Sequence, residues 1–67
     1  MTIQLNGRTV DLPVEVMTIH DLLKQYQLEH RIVIVELNQE IVDKSMYTTI
    51  PILDGDRVEM IHFVGGG

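Results

Sequence analysis

The chain has no cysteine among its 67 residues. That excludes a disulfide staple, a thiolate metal site and a cysteine nucleophile. It has no apolar run approaching the ~20 residues that a membrane span needs. Nor does Met1-Thr2-Ile3-Gln4-Leu5 offer the basic start and apolar block of a secretory signal, so a cytoplasmic location is expected. Positive charge is scarce: five Lys and Arg stand against ten Asp and Glu, a net charge of -5. Such a balance repels phosphate backbones, which argues against nucleic-acid binding. It suits a protein partner with a basic docking surface. Internal repeats and low-complexity stretches are also absent.

What is present is enough for one domain. An apolar share of 45% and a charged share of 22% describe a folded chain and not a disordered tail. At this length only roughly 60% of the unfolded surface becomes buried, so the core must be economical.

Thr2-Ile3-Gln4-Leu5-Asn6 alternates like a strand, with Ile3 and Leu5 on one face. Asn6-Gly7 is a strong signal for a two-residue hairpin turn. The return strand Arg8-Thr9-Val10-Asp11-Leu12 should end near Pro13, which cannot donate to the ladder. Thr18 reads as a helix N-cap, with Asp21 as an unusual third member of a capping box. Ile19, Leu22, Leu23 and Tyr26 form one helical stripe, which predicts a helix of about three turns. Arg31 to Leu37 is a β-branched strand, Asn38-Gln39 a turn, and Glu40-Ile41-Val42 a short strand. Residues 43–53 read as irregular, with a helical turn around Ser45-Met46-Tyr47 and a brief edge segment at Ile50-Pro51-Ile52-Leu53. Asp54-Gly55-Asp56 is a tight turn into a last strand, Arg57 to Phe63. The order ββαβ(β)β predicts an α+β class: a ubiquitin-like β-grasp, with one main helix cupped by a mixed sheet of four or five strands. Residues 1–63 are expected to form that domain and 64–67 a flexible glycine tail.

The tail Gly65-Gly66-Gly67 carries the chemistry. Lacking a Cβ, glycine lets a backbone enter a narrow channel. A terminal carboxylate is a poor acyl donor, because attack on it must expel oxide. Adenylation supplies a leaving group, and sulfide transfer then gives a thiocarboxylate. The domain offers no nucleophile, metal or base for these steps, so it reads as a substrate of partner enzymes and not as an enzyme. The three histidines, His20, His30 and His62, lack metal-ligand spacing and read as surface residues.

The whole chain resembles the ThiS family, the sulfur carriers of thiamine thiazole synthesis. The resemblance rests on its short length, on Ile34-Val35-Glu36-Leu37-Asn38-Gln39-Glu40-Ile41-Val42, on Asp54-Gly55-Asp56-Arg57-Val58-Glu59, and on the Gly66-Gly67 end. It implies that an E1-like activating enzyme adenylates Gly67 with ATP. A sulfur donor enzyme would then supply the sulfur, and the resulting thiocarboxylate would serve thiazole synthase, with no cofactor bound permanently. The small subunit of molybdopterin synthase is similar, but that family carries a Pro-Pro pair before its glycines, where this chain has Ile61-His62-Phe63-Val64. Two readings from other classes stand beside the carrier: a modifier joined to lysines through Gly67, and an interaction module whose glycines are incidental.

Alternation also sorts the central strands. With Glu36 and Glu59 facing water, Val33, Val35, Leu37, Val58 and Met60 should lie beneath the helix. Ile32, Ile34, Ile61 and Phe63 then share the opposite face and, with Val64, form an expected partner-binding patch. The competing expectation is that residues 43–53 fold over part of it. The free protein is expected to be a monomer.

Overall fold

The computed structural model describes residues 1–62; Phe63 and the 64–67 tail lie outside the described residues. Strands β1 (Thr2–Leu5) and β2 (Arg8–Asp11) form the opening hairpin. Asn6 (φ 51°) and Gly7 (φ 82°) both take left-handed conformations at its turn, as a type I′ connection requires. Helix α1 (Ile19–Gln25), strand β3 (Val33–Leu37) and the short β4 (Glu40–Ile41) come next. A 3₁₀ turn at Lys44–Met46 precedes strand β5 (Arg57–His62). The described strands form one mixed sheet in the order β2-β1-β5-β3-β4, the β-grasp architecture. β5 runs parallel to β1 and antiparallel to β3, so the strand that leads to the tail is the central one.

The helix starts where the sequence places it. Asp21 N–H donates to the Thr18 hydroxyl at 3.2 Å, and the Asp21 carboxylate accepts from Thr18 N–H at 3.1 Å, completing the box. A further bond from Met17 N–H at 3.0 Å is the main reason that the Asp21 carboxyl lies below the ordinary carboxylate range. By linkage, that preference adds stability above the ordinary value near 3.8 and loses it as pH falls through the depressed one.

The helix ends sooner than its stripe suggests. It spans seven residues, not three turns, and Tyr26 is its C-cap, with 41% of its surface exposed. The cause is a Schellman motif with Gln27 at φ 60°: Gln27 N–H donates to Lys24 carbonyl at 3.0 Å and Leu28 N–H to Leu23 carbonyl at 2.8 Å. Leu28 then turns back to pack on the core.

Ile3, Leu5, Ile19, Leu22, Leu23, Val35, Val58 and Met60 are all buried between α1 and the sheet. Val33 and Leu37 pack against this cluster from its margin. The segment 43–53 closes the same side: Ile52 is buried, and Tyr47 and Ile50 pack on the core. Its expected edge strand is reduced to an isolated bridge between Thr18 and Pro51. Burial, and then the Asp43 charge, push the Tyr47 phenol up, while its hydroxyl donates to Val33 carbonyl at 3.3 Å.

Candidate functional site

The site is built on β5, and two asparagines fix that strand. β1 would stop pairing at the hairpin turn, but the Asn6 side chain extends it. Its Oδ1 accepts from Met60 N–H at 2.8 Å and its Nδ2 donates to Met60 carbonyl at 3.2 Å. On the other flank Asn38 Oδ1 accepts from Arg57 N–H at 3.0 Å, and Asn38 N–H donates to Arg57 carbonyl at 2.8 Å. Both asparagines sit at φ 51°, so one residue type supplies turn geometry and strand anchor together. Asp56 completes the lower end, accepting from Leu53 N–H at 2.8 Å and from Asn38 Nδ2 at 3.1 Å.

Because side chains alternate along β5, Val58 and Met60 point into the core while Glu59 and Ile61 point to the outer face. The register sets Ile61 opposite Ile34 and Glu59 opposite Glu36. Ile34 and Ile61 are 39% and 53% exposed, and Ile32, just before β3, is 76% exposed. The structure thus brings together these three residues of the expected patch, and Phe63 and Val64 fall outside the described residues. Since 43–53 lies on the helix side, it leaves the three isoleucines open to solvent.

Ile41, 72% exposed and opposite Glu36 across β3 and β4, belongs to the same face and was not assigned to it from the sequence. The signal was available: buried Val42 fixes the alternation that turns Ile41 outward. The face therefore combines exposed isoleucines with two glutamates set side by side. Like charges directly opposite destabilise a sheet. A cation from a partner would relieve that repulsion, and the isoleucines would supply apolar area around it.

The histidines separate. His62 is partly buried and not a surface residue: it faces inward into a hollow of about 650 Å³ shared with Asn6, Arg8 and Tyr26. Its Nδ1 has no hydrogen-bond partner among the described residues. His20 and His30 meet at a different hollow, beneath the start of β3. No helix of the described residues is long and apolar enough to cross a membrane.

A model of the ThiS family matches residues 3–67. The chain is 51% identical over 65 residues to the sulfur carrier protein ThiS of Bacillus subtilis, covering 97% of this chain and 98% of that one. It is 39% identical over 67 residues to a thiazole synthase of Paramagnetospirillum magneticum, where all of this chain corresponds to 20% of the larger protein. A crystal structure of the thiamine biosynthesis protein ThiS from Geobacter metallireducens is similar with a TM-score of 0.82 and 29% identity, each chain covered completely. Matches that run nearly end to end show that the chain belongs to the ThiS family, the small sulfur carrier proteins of thiamine biosynthesis, which are carriers and not catalysts.

Proposed function

We propose that the sulfur is carried on the terminal carboxylate of Gly67. The carboxylate oxygen attacks the α-phosphate of ATP in an E1-like activating enzyme, and pyrophosphate leaves. Sulfide delivered by a donor enzyme attacks the acyl carbon, AMP leaves, and the thiocarboxylate remains. Thiazole synthase then takes that sulfur. Adenylation suits the cytoplasm, where ATP is available. The observation that carries the reading is the alignment with the Bacillus subtilis sulfur carrier along nearly its full length. The Paramagnetospirillum magneticum relative supports the acceptor, because there a region similar to this whole chain forms part of a protein named thiazole synthase.

The geometry suits the task. β5 is central, and its last described residue, His62, is paired with Val33, so Gly65-Gly66-Gly67 follows in sequence from a strand flanked on both sides. The outer face of Ile32, Ile34, Ile41 and Ile61, continued in sequence by Phe63 and Val64, is the surface assigned to the activating enzyme.

Intact-mass measurement of the protein from thiamine-starved source cells, with its C-terminal peptide mapped, tests the chemistry. Sulfur in place of one oxygen at Gly67 is expected. A Gly67 joined to a lysine side chain would overturn the reading in favour of a modifier. Ile61→Asp tests the face: an exposed position tolerates the change, so the melting curve should stay close to wild type while adenylation slows by roughly tenfold or more. Wild-type adenylation kinetics in that variant would remove the face from the account.

A further inference from the structure

The backbone groups of β5 turn to its two flanks alternately, residue by residue. Arg57 bonds Asn38, on the flank toward β3, through both its N–H and its carbonyl. Met60 bonds the opposite flank, where its N–H and carbonyl both meet the Asn6 side chain. The backbone groups of Glu59 and Ile61 therefore turn to β3, opposite Glu36 and Ile34. β1 itself reaches no further along β5 than Val58, whose carbonyl accepts from Asn6 N–H at 2.9 Å. Beyond that point the chain has turned away at Asn6-Gly7, and among the described residues no strand takes its place. The Asn6 side chain carries the pairing two residues further. It bonds Met60 across 54 positions of sequence, and only residues 61–67 follow.

The hairpin does not need this side chain. Gly7 takes φ 82° without one, and glycine at position 6 would suit the φ of 51° there and the type I′ turn equally well. The asparagine thus exceeds what its own turn requires, and what it adds lies on β5.

We propose that Asn6 is a positioning residue for acyl activation: by holding Met60 it fixes where the chain leaves the domain, and with it the place of the Gly67 carboxylate relative to a docked enzyme. The proposal rests on the reading that Gly67 is the acyl group. Asn6 acts through Met60 and not on the reacting atoms. Without its side chain, β5 is held from Glu59 onward by β3 alone. The residues beyond it then start from a spread of positions and directions. A displacement of about 1 Å can cost on the order of a hundredfold in rate. Affinity should change little, because the exposed Ile32, Ile34 and Ile41 lie on or beside β3 and β4, which Asn6 does not touch. The loss therefore belongs in the maximal rate.

The test is Asn6→Gly, which keeps the turn and deletes the two side-chain bonds to Met60. Amide hydrogen exchange checks the structure: relative to Glu59 and Ile61, Met60 N–H should exchange at least tenfold faster than in wild type. Pyrophosphate release is then followed with ATP and the E1-like activating enzyme of the same organism, over a range of carrier concentrations. The expected result is a maximal rate at least tenfold lower, with the half-saturating carrier concentration within twofold of wild type. Asn6→Asp keeps the acceptor for Met60 N–H and loses the donor to its carbonyl, so it should fall between. Ile52→Val controls for lost stability. Ile52 is buried in the core, so its variant should melt lower while both kinetic constants hold at a temperature where every variant is folded. A wild-type maximal rate in Asn6→Gly overturns the proposal, as does unchanged exchange at Met60. A rise in half-saturation with the rate intact also overturns it, and so does an equal loss of rate in Ile52→Val, since these mark docking or stability alone. Wild-type carrier separates the two levels. If it releases no pyrophosphate, the reading of Gly67 fails and takes the positioning role with it; if it does and Asn6→Gly matches it, only the positioning role fails.

Discussion

Extension of the chain by one alanine beyond Gly67 is expected to abolish sulfur loading while leaving the fold and outer-face binding intact. The added residue moves the reactive carboxylate by about 3.5 Å and puts a methyl group where glycine had none. A misplacement of about 1 Å already costs on the order of a hundredfold in rate. The loss should therefore exceed that figure and show up as no detectable pyrophosphate release. The residues that hold β5, Asn6, Asn38 and Asp56, are distant in sequence from the addition, so the melting curve should match wild type. Normal loading of the extended chain would show that the acyl group is not at this end.

Leu22→Ala is expected to bring the domain to the edge of unfolding. Leu22 is completely buried on the inner side of α1, within the cluster that joins the helix to β1, β3 and β5. Truncating such a leucine costs about 3–5 kcal/mol. A domain of this size has roughly 3–10 kcal/mol in total, at about 0.05–0.15 kcal/mol per residue. The change therefore removes about 30% of the stability at least, and at the low end all of it. Urea titration should show a much lower midpoint or no folded baseline, and adenylation should fall with the folded fraction. Val14→Ala is the control, since Val14 is 87% exposed and its truncation should be nearly silent. A Leu22 variant losing under about 1 kcal/mol would mean that the helix settles onto the sheet to fill the space.

Much of this architecture is readable before any coordinates, where local chemistry decides. Asn6-Gly7 fixes a hairpin because both residues tolerate positive φ, and Thr18 with Asp21 fixes a helix start because orphan amides there need acceptors. Alternation along β3 and β5 separates Val35 and Val58 from Ile34 and Ile61 because the pleat allows two faces only. The failures have equally specific causes. The helix stops at Gln25 because Gln27 adopts a conformation usually held by glycine, and no glycine stands there to announce it. Residues 43–53 lack a period, so their place over the helix side comes from Ile52 finding the core. His20 and His30 read as separate surface residues, since their meeting at one hollow depends on how α1 packs against the link into β3. The chemistry read into Gly65-Gly66-Gly67 rests on composition and position alone, since those residues lie outside the described ones.

The side-chain clasp of Asn6 on Met60 also has a mechanical consequence. A tail threaded into an enzyme acts as a tether, and tension along it is applied lengthwise to β5. The rungs joining β5 to β1 and β3 run across that axis, so they are sheared together and cannot be unzipped one at a time. The Asn6 clasp adds two more fasteners two residues from the loaded end of the described strand. Under load the domain should thus move as a rigid body at the end of its tether, keeping its last strand when the tail is drawn out of one enzyme on the way to the next.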